Sequence, residues 1–275
     1  MAELPELEIF RRDLDKELSG KKVKTAEVTV PAAVKRNTNR KGFATRVEGA
    51  KFGSVRRHGP LLVADLDTGD VLCISLGHRG RVVRAQNKEA APKGIAVTLT
   101  FTQHGCIRMI DPGKTSEMWV TTPDAVAGEI GPLGLDLVEE PVSWTHFGEL
   151  LLRRTGKLKS ILMDQTFLVG IGPVYSDEIL FDSGLRYDRT PQTLSTQEIR
   201  RLFRSTVEIL HEAIKYNGTS LEPDGFVDLF GKPGTYQDHL AVYGRDGQMT
   251  PRARGPVMKT RFGSGFTYYC AQTQM

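Results

Sequence analysis

The sequence predicts an α+β fold: an N-terminal antiparallel β-sandwich with flanking helices, then a helical second half that ends in a β-hairpin. Three observations carry this. From Val23 to about Val120 the 275-residue chain is a succession of short β-like runs broken by Gly and Asp turn residues, the pattern of stacked antiparallel sheets. From Trp144 to Lys215 the apolar residues recur at helical spacing. Between Tyr236 and Met275 the turn Gly263-Ser264-Gly265 sits between β-like flanks.

Taken in order, Glu3 to Leu18 reads as a helix with Leu7, Phe10, Leu14 and Leu18 on one face, ended by Gly20. The candidate strands are 23–30, 45–52, 61–66, 71–76, 81–84, 95–101 and 106–110. Gly131 to Pro141, rich in Gly, Pro and acids, is the expected linker. Helices are expected over 144–154, 158–164, 175–183 and 196–215, the last with its N-cap at Ser195 or Thr196 and Glu198 near its start. Asn217-Gly218 ends it, and 221–230 reads as a Gly/Asp/Phe loop.

Composition narrows the class. Lys and Arg number 37 against 33 Asp and Glu, a net charge of +4, so the chain is only mildly basic overall. Locally the excess is stronger. Lys35, Arg36, Arg40, Lys41, Arg46, Lys51, Arg56 and Arg57 fall in one stretch against Glu48. Such a run is either a solvated face or a phosphate-contacting surface. Cys73, Cys106 and Cys270 are distant and odd in number, which argues against a disulfide framework and for a reducing compartment. No run reaches membrane-spanning length and no signal pattern opens the chain, so a soluble, intracellular protein is expected.

The most informative stretch is Lys159 to Leu185, KSILMDQTFLVGIGPVYSDEILFDSGL. It reads as two amphipathic helices around a Gly170-Ile171-Gly172-Pro173 turn, with Ser176, Asp177 and Glu178 opening the second helix at its positive end. Two glycines there would leave backbone N–H groups bare for a phosphate; an ordinary helical hairpin is the plainer alternative. This segment resembles the helix–two-turn–helix of the formamidopyrimidine-DNA glycosylase and endonuclease VIII family. Met1-Ala2-Glu3-Leu4-Pro5-Glu6-Leu7-Glu8 is similar to that family's amino terminus. Asn217-Gly218-Thr219-Ser220-Leu221, Gly231-Lys232-Pro233-Gly234 and Val242-Tyr243-Gly244-Arg245 are similar to its C-terminal signature.

The resemblance implies domains at 1–130, 142–234 and 235–275 with a linker at 131–141. It also implies a partner, double-stranded DNA containing a damaged base or abasic site, bound by a monomer in the cytoplasm, at the bacterial nucleoid. In that family the amine exposed by methionine removal attacks deoxyribose C1′ while the adjacent glutamate handles protons. Here Ala2 stands where the family has proline, and Glu3 is retained. An α-amino group titrates well below lysine and so is a competent nucleophile near neutrality.

Other positions depart from the family pattern. Arg56-Arg57-His58-Gly59-Pro60 puts Pro60 where a loop lysine is expected. His78 and the turn from Asp111 to Ser116, with Lys114, replace the wedge residues that fill the gap left by an extruded base. Pro173 replaces a phosphate-binding asparagine, and Gly265 a hairpin arginine for which Arg261 is the nearest substitute. The expected DNA-contacting set is therefore Arg56, Arg57, His58, His78, Arg79, Lys114, Lys157, Gly170, Gly172, Tyr243, Arg245 and Arg261. Thr219, Ser220, Leu221 and Tyr236 are expected in the lesion-recognition loop.

The family's usual zinc finger needs four cysteines. Only Cys270 remains, with Thr273 beside it, so a zincless hairpin resting on Phe262, Phe266, Tyr268 and Tyr269 is expected, with no metal and no cofactor. The implied activity is N-glycosylase with weak or absent strand-cleaving lyase. The alternative is a catalytically inactive DNA-damage-binding protein on the same scaffold.

Overall fold

The computed structural model describes residues 2–86, 89–90, 92–221, 225–252 and 255–275. Met1, on whose removal the Ala2 reading depends, and Ala253-Arg254 of the tail lie outside them. The chain divides into two compact units, Met1–Gly131 with Tyr216–Thr235, and Pro132–Lys215 with Tyr236–Met275. This differs from the expected boundaries in two ways. The segment 216–235 groups with the first unit, and the tail groups with the helices instead of standing alone.

In the first unit, helix α1 (Leu4–Leu18) starts with Pro5 in its first turn, where proline's missing N–H costs nothing. Eight strands follow: β1 (Val23–Val28), β2 (Phe52–His58), β3 (Leu61–Leu66), β4 (Val71–Ser75), β5 (Arg81–Ala85), β6 (Ile95–Phe101), β7 (Cys106–Ile110) and β8 (Glu117–Thr121). They form two antiparallel sheets in the orders β1-β6-β7-β5 and β2-β3-β4-β8. One core lies between the sheets, with Val97, Leu99 and Met109 from the first and Leu62, Leu72 and Ile74 from the second. Leu7, Phe10, Leu14 and Leu18 of α1 join it, as their spacing demands.

Leu61, Val63, Val71, Cys73 and Trp119 face away from that core, yet Val126 and Ile130 of the segment after β8 cover them. The second sheet is thus buried on both sides. This is why β3 and β4 read as unbroken apolar runs and not as an alternation. Burial pushes the Cys73 thiol up to about 11, so it is inert packing.

The expected strand at 45–52 is a correction. Residues 40–47 form helix α2 (Arg40–Val47), N-capped by Asn39, whose Oδ1 accepts the Gly42 N–H (2.9 Å). Phe43 and Val47, four apart, are its buried face, a spacing submerged in the basic run. β2 and β8, absent from the candidate strands, complete the second sheet.

The second unit holds α3 (Trp144–Leu152), α4 (Leu158–Leu162), α5 (Pro173–Ser183), α6 (Thr196–Lys215) and the hairpin β9 (Met258–Phe262) with β10 (Gly265–Tyr269). α5 ends on Gly184 at φ +68, the left-handed cap that glycine adopts without strain. Within this unit α6 packs on α5 and α3, and α5 packs on β10. No helix among the described residues is long and apolar enough to cross a membrane.

Candidate active site and nucleic-acid interface

The amino terminus is built into the first unit. Ala2 is half-buried against the core and Glu3 is 4% exposed, placed as the N-cap of α1. Glu3 N–H donates to Glu6 Oε2 (2.9 Å). The other oxygen, Oε1, accepts the Thr219 N–H (2.9 Å). Glu6 therefore ties the start of α1 to the Asn217-Gly218-Thr219 turn with both carboxylate oxygens, although the chain separates them by 213 residues.

Sequence reasoning passed over Glu6. The signal was an acid three residues after the cap, the spacing of a capping box. The turn it holds needs left-handed backbone at Asn217 (φ +58) and Gly218 (φ +76). A Cβ on Gly218 would meet Glu6 Oε1 at 3.0 Å and Phe226 at 3.2 Å.

The loop that follows is organised by Asp228, which was also missed. Its Oδ1 accepts the N–H groups of Phe230 and Lys232, both at 2.9 Å, and its Oδ2 accepts Asn217 Nδ2 (3.2 Å). Ser220 Oγ donates to Phe226 O and accepts the Gly234 N–H (2.8 Å). Thr219 is buried, while Leu221 is exposed. Tyr236, in the second unit, is 1% exposed, its ring 5.9 Å from that of Tyr175.

The basic stretch is largely neutralised from within. Lys35 and Arg36 pair with Glu117 (2.7 and 2.6 Å), Arg46 with Asp70 (2.8 Å), and Arg56 with Asp65 across the β2–β3 hairpin. Arg57 is a correction: its side chain is buried, facing Glu8 Oε2 at 3.5 Å and donating to Gly59 O (3.2 Å). Burial pushes the Glu8 carboxyl up, but Arg11, Arg12 and Arg57 outweigh it and hold the group below the ordinary range. Gly59 (φ +56) and Pro60 form the two-residue turn after half-buried His58.

His78 and Arg79 are exposed on one turn and Lys114 on another. The two turns are locked together. His78 N–H donates to Thr115 Oγ1 (3.0 Å), Ser116 Oγ donates to Leu76 O (2.8 Å), and a Cβ on Gly80 would fall 1.9 Å from Ser116 Oγ. The turn that carries His78 and the turn that carries Lys114 therefore lie side by side.

In the second unit the turn between α4 and α5 is shaped by Gln165, which falls at helical spacing with Ile161 and Leu162 in the sequence but lies beyond the end of α4. Its Oε1 accepts the Gly170 N–H (2.7 Å) while its Nε2 donates to Ile171 O (3.2 Å) and Met163 O (3.1 Å). The Gly170 amide is thus held inward, not bare. Gly172 is the buried N-cap of α5, and Pro173 stands at its first position.

Asp177 and Glu178 are not solvent-facing acids at a helix start. They are 1% and 2% exposed. Lys157 is exposed at the head of α4, its ammonium 5.9 Å from the Phe262 ring. Arg245 is held by Leu240 O (2.7 Å) and Gln248 Oε1 (3.1 Å), Tyr243 is half-buried beside Tyr268, and Arg261 is exposed on β9.

The tail does not offer a zinc donor set. Burial pushes the Cys270 thiol up, but hydrogen bonding by the Thr273 hydroxyl and the Gln272 and Thr273 amides outweighs it and holds it below the ordinary range. One sulfur beside a hydroxyl is not a ligand shell for zinc. No group of three or more His, Cys, Asp or Glu converges among the described residues. The hairpin is anchored differently from expectation at one ring: Phe266 is 51% exposed, the Lys259 ammonium 4.6 Å from it, while Tyr187 packs against Phe262 and Tyr269.

A sandwich opening on a buried acid at the chain's amino terminus, followed by two helices around a glycine turn and a C-terminal hairpin, defines a class of DNA-repair glycosylases. Residues 1–118 match the formamidopyrimidine-DNA glycosylase N-terminal domain and residues 133–224 that glycosylase's helix–two-turn–helix domain. The formamidopyrimidine-DNA glycosylase of Pelotomaculum thermopropionicum is 32% identical over 100% of this chain and 99% of its own. That of Listeria monocytogenes is 30% identical over the whole of both chains. Among solved structures, the Lactococcus lactis Fpg in complex with abasic-site DNA superposes with a TM-score of 0.91 at 27% identity, over 99% of each chain. The same enzyme with Fapy-dG DNA gives 0.89. The chain belongs to the formamidopyrimidine-DNA glycosylase family, and its general function is that of a DNA-repair glycosylase.

Proposed function

We propose that the chain binds duplex DNA carrying a damaged base or abasic site and excises the base as an N-glycosylase, with weak or absent lyase activity. The observation that carries this is Glu3, buried beside Ala2 and tied through Glu6 to the 217–219 turn. A carboxyl on the residue next to an α-amine is the arrangement that attack at C1′ requires: a nucleophile with a large neutral fraction near pH 8, and an adjacent group to move its protons. The amine displaces the base at C1′ and the base leaves with a proton; the C1′–O4′ bond then opens, O4′ taking the second amine proton, to give a Schiff base that water hydrolyses to regenerate the amine.

The expected weakness of strand cleavage rests on Pro60, which supplies neither charge nor proton where the family places a lysine. The same residue is the observation that favours the second reading, a damage-binding protein without chemistry. Single-turnover assays over oxidised, alkylated and abasic duplexes separate the two. Wild type should release a base from at least one substrate. Glu3→Gln should abolish release and leave binding within a few-fold, since it removes proton transfer and keeps size. If no duplex is processed while binding persists, the second reading stands.

A further inference from the structure

The tail stays docked although it lacks the sulfur ligands of the family's usual finger. Its apolar anchorage is small: Phe181, Val242, Val257 and Cys270 are the buried members of its cluster, and most of β9 is exposed. Two adjacent carboxylates of α5 supply what is missing. Glu178 accepts the N–H groups of Ala241 (2.7 Å), Val242 (3.0 Å) and Tyr243 (2.8 Å).

Asp177 gathers three elements. Lys159 of α4 donates from Nζ to Oδ1 (2.5 Å), the Thr267 hydroxyl of β10 donates to the same oxygen, and Tyr268 N–H donates to Oδ2 (3.0 Å). The Lys159 and Asp177 side chains are each 1% exposed. Buried charges persist only when paired and hydrogen-bonded, and removing one partner is far costlier than removing both.

We propose that Lys159, Asp177 and Thr267 form a charged latch that fixes the hairpin without metal, and that Asp177 is thereby a positioning residue for Arg261. Thr267 faces Thr260 across the hairpin, and Arg261 is the next residue, paired with Phe266. The latch thus sets the strand on which the one exposed arginine of β9 stands. The second clause of the proposal rests on the chain's binding DNA through this hairpin.

The test uses the full-length protein, with amide hydrogen exchange at Tyr268 and its hairpin neighbours, and affinity for a duplex bearing a tetrahydrofuran abasic-site analogue. Asp177→Asn keeps hydrogen-bonding shape but removes the charge that faces the Lys159 ammonium. It should speed exchange in the hairpin at least about tenfold, as local opening requires. Lys159→Met/Asp177→Asn, which removes both charges, should restore protection.

Chelator should change nothing in the wild type. Asp177→Asn should also weaken DNA binding about as much as Arg261→Ala, and add little in the Arg261→Ala background, because both act on one contact. Unchanged exchange in Asp177→Asn, failure of the double variant to recover, or loosening by chelator overturns the latch. Additive losses of affinity overturn the positioning role. If the wild type does not bind the duplex at all, the DNA-binding reading fails, and the exchange results still decide the latch.

Discussion

Glu6 uses each carboxylate oxygen for a different backbone amide, one at the start of α1 and one in the 217–219 turn. That couples the turn's conformation to the amino terminus, where the chemistry is proposed. Gly218 lies against the Glu6 side chain with φ +76. Gly218→Ala would add a methyl where L residues are strained and where Glu6 and Phe226 already crowd, at a cost of about 1–2 kcal/mol. Urea unfolding should report that loss, and single-turnover excision should slow with it, because about 1 Å of displacement at a reacting group costs on the order of a hundredfold. An unchanged rate would separate Glu6 from the chemistry. Ala2 and Glu3 are proposed from the resemblance of the amino-terminal segment to the family. Of the bonds that Glu6 and Asp228 make, those to Glu3, Phe230 and Lys232 are local, whereas the one from Thr219 to Glu6 spans 213 residues and is not legible in the sequence.

At the scale of elements, helical and strand periods were readable wherever one face is buried, as in α1 and α6, and β3 and β4 were readable from their apolar runs. The period was lost at α2, whose Phe43 and Val47 are only two marks in a polar octet. Asp177 and Glu178 misled for a related reason: acids early in a helix read as dipole partners, and nothing local says that a distant hairpin covers them.

The long helix α6 permits a prediction. Ser195 N–H and hydroxyl donate to Glu198 Oε2 (2.8 and 2.9 Å), Ser195 Oγ accepts the Glu198 N–H (3.3 Å), and Arg189 pairs with Glu198 at 2.6 Å. Arg189 and these bonds lower the Glu198 carboxyl from 4.5 to about 2. The unfolded chain therefore binds the proton more readily than the fold does. The stabilisation is complete above pH of about 4.5 and disappears as pH falls through about 2. Glu198→Gln should cost about 1–2 kcal/mol at neutral pH, a figure reduced for partial exposure. Urea midpoints of variant and wild type should converge on acidification; a gap independent of pH would contradict this.

At the scale of the whole molecule, the two-part α+β plan was legible, because sheets and helices occupy separate stretches of chain. The return of 216–235 to the first unit was not, since only the fold brings Leu229 into the first unit's core, Phe226 against Phe10, and Leu229 O to the Arg84 N–H (2.7 Å). That return brings Thr219 to Glu6 and so completes the site around the amino terminus. The central claim is that the amine of Ala2 is the nucleophile. Borohydride trapping tests it most directly, on protein whose loss of Met1 is established by intact mass, incubated with abasic-site duplex. A covalent adduct should form, map to Ala2 by peptide mass, and vanish when one residue is added before Ala2. No adduct from protein lacking Met1, or an adduct mapping to a lysine side chain, would contradict the account.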